Sequence, residues 1–184
     1  MKHVIVITGT PAVGKTTVAR RLANLSKAEY INANDVIKKE KLFSGRSRDG
    51  ALVVKLGRLK ASLERRISKS KKDVVILDGH ILCEIGIRNA TAIVLREHLG
   101  TIEGRMRKRG YPQIKIDDNV VSEATDYCGI RSAKHYRNVY EVLSGSSAER
   151  RILAIAKGRK GPKESIEMLG ELNSYLKKNK GPLR

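Results

Sequence analysis

Gly9-Thr10-Pro11-Ala12-Val13-Gly14-Lys15-Thr16, followed by Thr17, is the stretch whose reading decides the fold. The run before it, Val4 to Ile7, is wholly apolar and β-branched, and behind it Val18, Ala19, Leu22 and Leu25 recur at helical spacing. Strand, glycine-punctuated loop and helix in that order make a phosphate-binding loop. Gly9 and Gly14 let the backbone curl so that successive N–H groups face a polyphosphate, while the following helix presents its positive end. Lys15 is then placed to neutralise β- and γ-phosphate oxygens and the Thr16 hydroxyl to sit on Mg2+, so ATP and Mg2+ are the expected ligands.

The length of 184 residues suits one α/β domain with small inserts. No run has the length of a membrane span or the form of a signal peptide, so a soluble, cytoplasmic protein is expected. Cys83 and Cys128 have neither the density of a disulfide framework nor the spacing of metal ligands, and read as packed thiols. Charge is the second large signal: 38 Lys+Arg against 19 Asp+Glu leaves 38 − 19 = +19, a field that attracts polyanions. With one Phe and no Trp a base-stacking platform is not expected, so an RNA contact would be made mainly to phosphates and be salt-sensitive.

Along the chain, Glu29 to Ala33 reads as a second strand, with Asn34 and Asp35 as N-cap candidates for a helix over Val36 to Glu40. A loop at the carboxyl end of a parallel strand faces the ligand crevice, which makes Asn34, Asp35 and Lys38 candidates for a second phosphate-bearing substrate. A polar loop over 42–49, containing Arg46 and Arg48, leads to an amphipathic helix bearing Leu52, Leu56, Leu59, Leu63 and Ile67, with Lys55, Arg58, Lys60, Arg65, Arg66, Lys69, Lys71 and Lys72 on or beyond its other face. Residues 32–70, lying between the second and third strands, stand where nucleoside monophosphate kinases carry an acceptor-binding insert, and are expected to be one. Asp73 to Asp78 is a buried parallel strand ending in the acid that supports Mg2+, and His80 stands two residues on, placed to orient water or touch an acceptor. Thr91 to Arg96 supplies a fourth strand. The next helix puts Arg105 and Arg109 four apart on one face, suited to clamping a phosphoryl group. Residues 108–118 read as a short lid without zinc-binding cysteines. From Asn119 a helix carrying Tyr136, Tyr140 and Leu143 is expected, then a fifth strand over Glu149 to Ala156. The loop after it, with Lys160 and Gly161, is expected to border the adenine.

Gly-Thr-Pro-x-Val-Gly-Lys-Thr-Thr (Gly9 to Thr17), Tyr-Ile-Asn-x-x-Asp (Tyr30 to Asp35), Asp-x-His (Asp78 to His80) and Arg-Gly-Tyr…Asp-Asn (Arg109 to Asn119) together resemble the adenylate kinase isoenzyme 6 family, within the nucleoside monophosphate kinases. The resemblance implies a three-layer P-loop NTPase fold with a five-stranded parallel sheet, and a single domain over 1–184. It implies adenylate kinase and ATPase activity, a role in small ribosomal subunit maturation, and AMP, a ribosomal protein and ribosomal RNA as partners. It assigns Gly14, Lys15, Thr16 and Thr17 to ATP, Arg109 to the lid, Asp78 and His80 to metal support and hydrolysis, and Lys38 or Arg88 to the acceptor phosphate. Ala12 departs from a glycine often found in that loop, and Gly161-Pro162 from a Lys-Pro pair. Two rival functions remain: an ATP-driven assembly factor with incidental kinase activity, and a small-metabolite kinase of the same fold.

Overall fold

Val4 to Ile7 fall in β1 (His3–Thr8), the middle strand of a five-stranded sheet, and the run is apolar throughout because both its faces are covered. The computed structural model describes residues 2–47, 50–159 and 166–180. β5 (Val74–Asp78) and β6 (Ala90–Arg96) flank β1, with β2 (Glu29–Asn32) outside β5 and β7 (Asn138–Leu143) outside β6. Every neighbouring pair is parallel, and Ile7 stands beside both Asp78 and Ile93 while Asp78 stands beside Asn32. The carboxyl ends of the strands therefore share one rim.

On one face α1 (Lys15–Ser26) lays Val18, Ala19 and Leu22 against Ile5 and Ile7. The helices α4 (Leu99–Lys108), α5 (Gln113–Ala124), α7 (Ala148–Ala156) and α8 (Leu169–Lys180) complete that layer. On the other face α2 (Ala33–Lys39) and α3 (Leu56–Lys69) cover Val4, Val6, Val75 and Leu77. Beside them α6 (Tyr127–His135) packs on a 3₁₀ turn over His80–Glu84, where Cys83, Val94 and Cys128 form a small cluster of their own. Leu22, Leu63 and Leu77 are fully buried, each worth about 1.5–3 kcal/mol in apolar area withdrawn from water. The result is the three-layer α/β fold with five parallel strands. Among the described residues no helix is long and apolar enough to cross a membrane.

Three expectations need correction. The fifth strand is β7, not Glu149 to Ala156, which is the helix α7. Ala148 and Ile152 share one buried face at a spacing of four, and Ala, Leu, Glu and Arg all favour helix, whereas 138–143 holds the β-branched Val139 and Val142. Tyr140 and Leu143 accordingly lie on a strand, which begins at Asn138, two residues after Tyr136 caps the C-terminus of α6. The loop over 42–49 contains β3 (Phe43–Arg46), which pairs antiparallel with β4 (Leu52–Val54), so Leu52 belongs to a hairpin and α3 starts only at Leu56. Arg48 lies outside the described residues. The helix expected from Asn119 begins at Gln113, so that Arg109 to Pro112 is the only non-helical part of 108–118.

β6 ends on Arg96, whose side chain is 1% exposed. Its Nε donates to Glu123 Oε1 at 2.9 Å, Nη1 to Asp126 Oδ1 at 2.8 Å and Glu141 Oε2 at 2.7 Å, and Nη2 to the Glu123 carbonyl at 2.8 Å. One guanidinium thus joins β6, α5, β7 and the N-cap of α6, since Asp126 also accepts from the Gly129 N–H. Burial pushes the Asp126 carboxyl up to about 6, with Arg96 pulling it down and Glu141 pushing it further up.

Candidate active site

The phosphate loop runs from the end of β1 into α1, and its glycines are required by contact as well as by curvature. A Cβ on Gly9 (φ +136°) would stand 2.3 Å from the Leu95 carbonyl oxygen, which only an absent side chain avoids. Gly14 (φ +100°) is the N-cap of α1, and a Cβ there would meet Ser144 Oγ at 3.3 Å. Ala12 adopts φ +73°, a left-handed conformation that costs an alanine about 1–2 kcal/mol and a glycine almost nothing. Its carbonyl accepts from Arg105 Nη1 at 2.9 Å, and the same nitrogen meets Glu97 Oε2 at 2.9 Å. Arg105 therefore arrives at the loop already oriented.

Lys15 Nζ donates to the Thr10 carbonyl at 2.8 Å, folded back over the loop it belongs to. Burial lowers the pKa of its ammonium, opposed by the nearby thiols and by Asp78, and a polyphosphate in the loop would favour the charged form again. Thr16 Oγ1 donates to Asp78 Oδ2 at 2.7 Å, and the same oxygen accepts from Tyr30 Oη at 2.9 Å and Asn32 Nδ2 at 2.8 Å. Asp78, 1% exposed at the end of β5, is thus held by donors from α1 and β2. Hydroxyl and carboxylate oxygens converging here are hard donors of the kind Mg2+ takes, so Thr16 and Asp78 fit that ion.

Asn32 has a second task. Its Oδ1 caps α2 by accepting from the Asn34 and Asp35 N–H groups at 2.9 and 3.2 Å. This corrects the expectation that Asn34 or Asp35 is the cap: they are the capped residues, and their side chains are exposed with Lys38 on the helix that leaves the rim. Tyr30 and Asn32 escaped attention as Asp78 ligands, although their i, i+2 spacing on a strand puts both on one face.

His80 Nδ1 lies 3.1 Å from the Gly9 carbonyl oxygen and 3.7 Å from Cys128 Sγ. Burial pulls its pKa down, but the Cys128 and Gly9 contacts prevail and hold it above the ordinary histidine value. Arg109 follows one turn after Arg105, exposed at the end of α4, and Thr17 is exposed in the first turn of α1. Lys160 and Gly161 lie outside the described residues, and the loop they were assigned to follows a helix; the loop that follows the last strand is 144–147, whose Ser144 adjoins Gly14.

Arg88 is a correction. It precedes β6 at the amino end of the sheet, where Ala90 pairs with Val4, while the phosphate loop follows Thr8, the partner of Val94. The two rims are separated by several residues of strand at about 3.3 Å each. Arg88 is 82% exposed, pairs with Glu64 at 3.4 Å, and lines a cavity of about 430 Å3 with Lys60, His135 and Arg137. An acceptor phosphate at the carboxyl rim cannot reach it.

The chain matches the family described as AAA domain over residues 5–126. It is 34% identical over 180 residues to a protein of Pyrococcus abyssi named "Putative adenylate kinase", covering 96% of this chain and 88% of that one. It is 35% identical over 181 residues to the protein of the same name in Pyrococcus furiosus, covering 97% and 88%. Among solved structures it is similar to a shikimate kinase from Bacteroides thetaiotaomicron, with a TM-score of 0.58 at 17% identity over 84% of this chain and 98% of that one. It is also similar to a gluconokinase from Sinorhizobium meliloti, with a TM-score of 0.53 at 15% identity over 85% and 92%. At these identities the structural likeness shows a common α/β P-loop NTPase fold and does not extend to substrates.

Proposed function

The chain belongs to the AAA domain family and to the group of proteins named "Putative adenylate kinase", and on that premise we propose that it transfers the γ-phosphoryl group of ATP to AMP. The observation that carries this reading is the sharing of Asp78 Oδ2 between Thr16 of the phosphate-loop helix at 2.7 Å and Asn32 of the α2 cap at 2.8 Å. A nucleotide cradled by the loop and a monophosphate beside Asn34, Asp35 and Lys38 would face each other across that carboxylate. Lys15 then exchanges the Thr10 carbonyl for β- and γ-phosphate oxygens, and Arg105, with Arg109 one turn on, supplies positive charge where it spreads in the transition state. Thr16 and Asp78 would hold Mg2+, which would neutralise charge on the nucleotide phosphates when bound. Catalysis here is positioning and charge stabilisation, and no covalent nucleophile is required.

Water in place of AMP makes the same apparatus an ATPase, with His80 beside Gly9 as the group that orients it. The test is ADP formation from ATP with AMP, dAMP, CMP, UMP, a nucleoside, a sugar acid or no acceptor. AMP is expected to raise the rate and to be consumed in a 1:1 ratio with ATP. ADP formation indifferent to every monophosphate would overturn the kinase reading and leave hydrolysis, and turnover confined to a sugar acid or nucleoside would move the protein to metabolite phosphorylation.

The charge of +19 supports a second reading, in which ATP turnover serves small ribosomal subunit maturation and the basic surface meets ribosomal RNA. Lys55 and Arg58 are exposed at the start of α3, and Lys69, Lys71 and Lys72 at its end, just before β5 begins at the amino end of the sheet, away from the rim that holds the loop. An RNA held by about six phosphate contacts there should lose roughly 10³-fold in affinity between about 50 and 200 mM salt. Filter binding of small-subunit RNA across that range checks it, and weak, salt-indifferent binding would return these residues to a solvated surface.

A further inference from the structure

Cys83 and Cys128 stand 45 positions apart in the chain, yet the 3₁₀ turn after β5 and the first turn of α6 bring them to the same point beside His80. The two sulfurs and one imidazole nitrogen all lie within 4.8 Å of one another, and Cys128 Sγ is 3.7 Å from His80 Nδ1. Both cysteines are free and buried, among Val94 and Val139, while His80 is half-buried and opens toward the phosphate loop. Zinc takes thiolate sulfur at about 2.3 Å and imidazole nitrogen at about 2.0–2.1 Å, so two ligands of one tetrahedral zinc stand roughly 3.5 Å apart. The 3.7 Å between Cys128 and His80 is already near that separation.

We propose that His80, Cys83 and Cys128 form a binding site for one thiophilic divalent cation, zinc foremost, distinct from the Mg2+ site. The chemistry separates the two. Two sulfurs and a nitrogen are soft donors that select zinc, whereas Thr16 and Asp78 offer oxygen alone. Three protein ligands leave a fourth position for water. On binding, the two thiol protons leave for solvent, and His80 ligates as neutral imidazole through Nδ1 with its proton on Nε2. An Nδ1 lone pair on zinc cannot belong to an N–H that donates to Gly9. Metal occupancy therefore withdraws His80 from the phosphate loop, and where the phosphotransfer reading holds, zinc inhibits turnover.

The binding claim is tested without any turnover assay. Chelator-stripped full-length protein is titrated with Co2+ as an optical stand-in, then with Zn2+. One equivalent of Co2+ should bring up a thiolate-to-cobalt charge-transfer band, which Zn2+ abolishes. Cys83→Ala and Cys128→Ala, each checked for an unchanged melting temperature, should each weaken uptake by more than the roughly 10–100-fold typical of losing a merely supporting group. In the parent protein, zinc should also protect both thiols from alkylation under partial denaturation. No charge-transfer band, uptake indifferent to both variants, or thiols alkylated equally fast with and without zinc would each overturn the site. Zinc binding without inhibition would leave the site standing and overturn only its link to the loop.

Discussion

Lys15→Ala should leave ATP turnover at least roughly 10²–10³-fold below that of the parent protein, with the loss in kcat rather than in folding. The side chain is the one cation that the loop itself aims at a polyphosphate, and it makes its 2.8 Å bond to the Thr10 carbonyl only while no phosphate competes. Its ammonium is disfavoured by burial, so alanine removes a group that the folded protein gains little from in the absence of ligand. The melting temperature without nucleotide should therefore stay close to the parent value, while the upward shift produced by ATP shrinks with the lost affinity. Near-parent turnover in a correctly folded Lys15→Ala protein would remove the phosphate loop from the reaction.

Arg96→Ala should be the most destabilising single change described, at about 3–5 kcal/mol, because it strands Glu123, Asp126 and Glu141 around an emptied, buried position. Denaturant unfolding measures it directly. The effect should also depend on pH in a defined sense. Asp126, at about 6 in the folded protein against an ordinary 3.8, keeps a proton that the unfolded chain releases in that interval. This group therefore favours the fold at acid pH, and that contribution is lost as pH rises through about 6. Without Arg96 to oppose burial, the carboxyl is pushed higher still, so the variant should be closer to the parent at about pH 5 than at about pH 7.5. Asp126→Asn added to Arg96→Ala should remove much of that pH dependence, since asparagine tolerates the left-handed backbone of φ 51° and can still accept from the Gly129 N–H. A loss independent of pH would assign the damage to the cavity alone.

The parts of the fold that the sequence discloses are those where local pattern and tertiary role coincide. Val4 to Ile7 and Val74 to Leu77 read as buried parallel strands because nothing polar interrupts them, and they are the centre of the sheet. β7 was hidden because it is an edge strand with a neighbour only in β6, so its burial is partial and its pattern weak, while the stronger apolar run at 149–156 is helical. In the site, Lys15, Thr16 and Asp78 can be named from spacing, since loop and strand end are adjacent by construction. Arg88 could not be excluded from spacing, because two residues before a strand and two after it look alike until the strand's direction places them on opposite rims. In the cluster of His80, Cys83 and Cys128 the first two lie three apart on one 3₁₀ turn, but Cys128 joins them only through the packing of α6 on that turn, a contact between segments distant in the chain.

Asn32 uses its carbonyl oxygen on the first turn of α2 and its amide nitrogen on Asp78, so both ends of one small group are committed. Aspartate there would keep the cap and set a second negative charge against Asp78; serine would keep the cap and fall short of the acid. Position 32 consequently accepts no close substitute. A shift of the Asp78 carboxylate toward an arriving cation would pull on Asn32 and, through its cap, on the start of α2. Occupancy of one half of the rim would be communicated to the other through a single side chain, without a hinge.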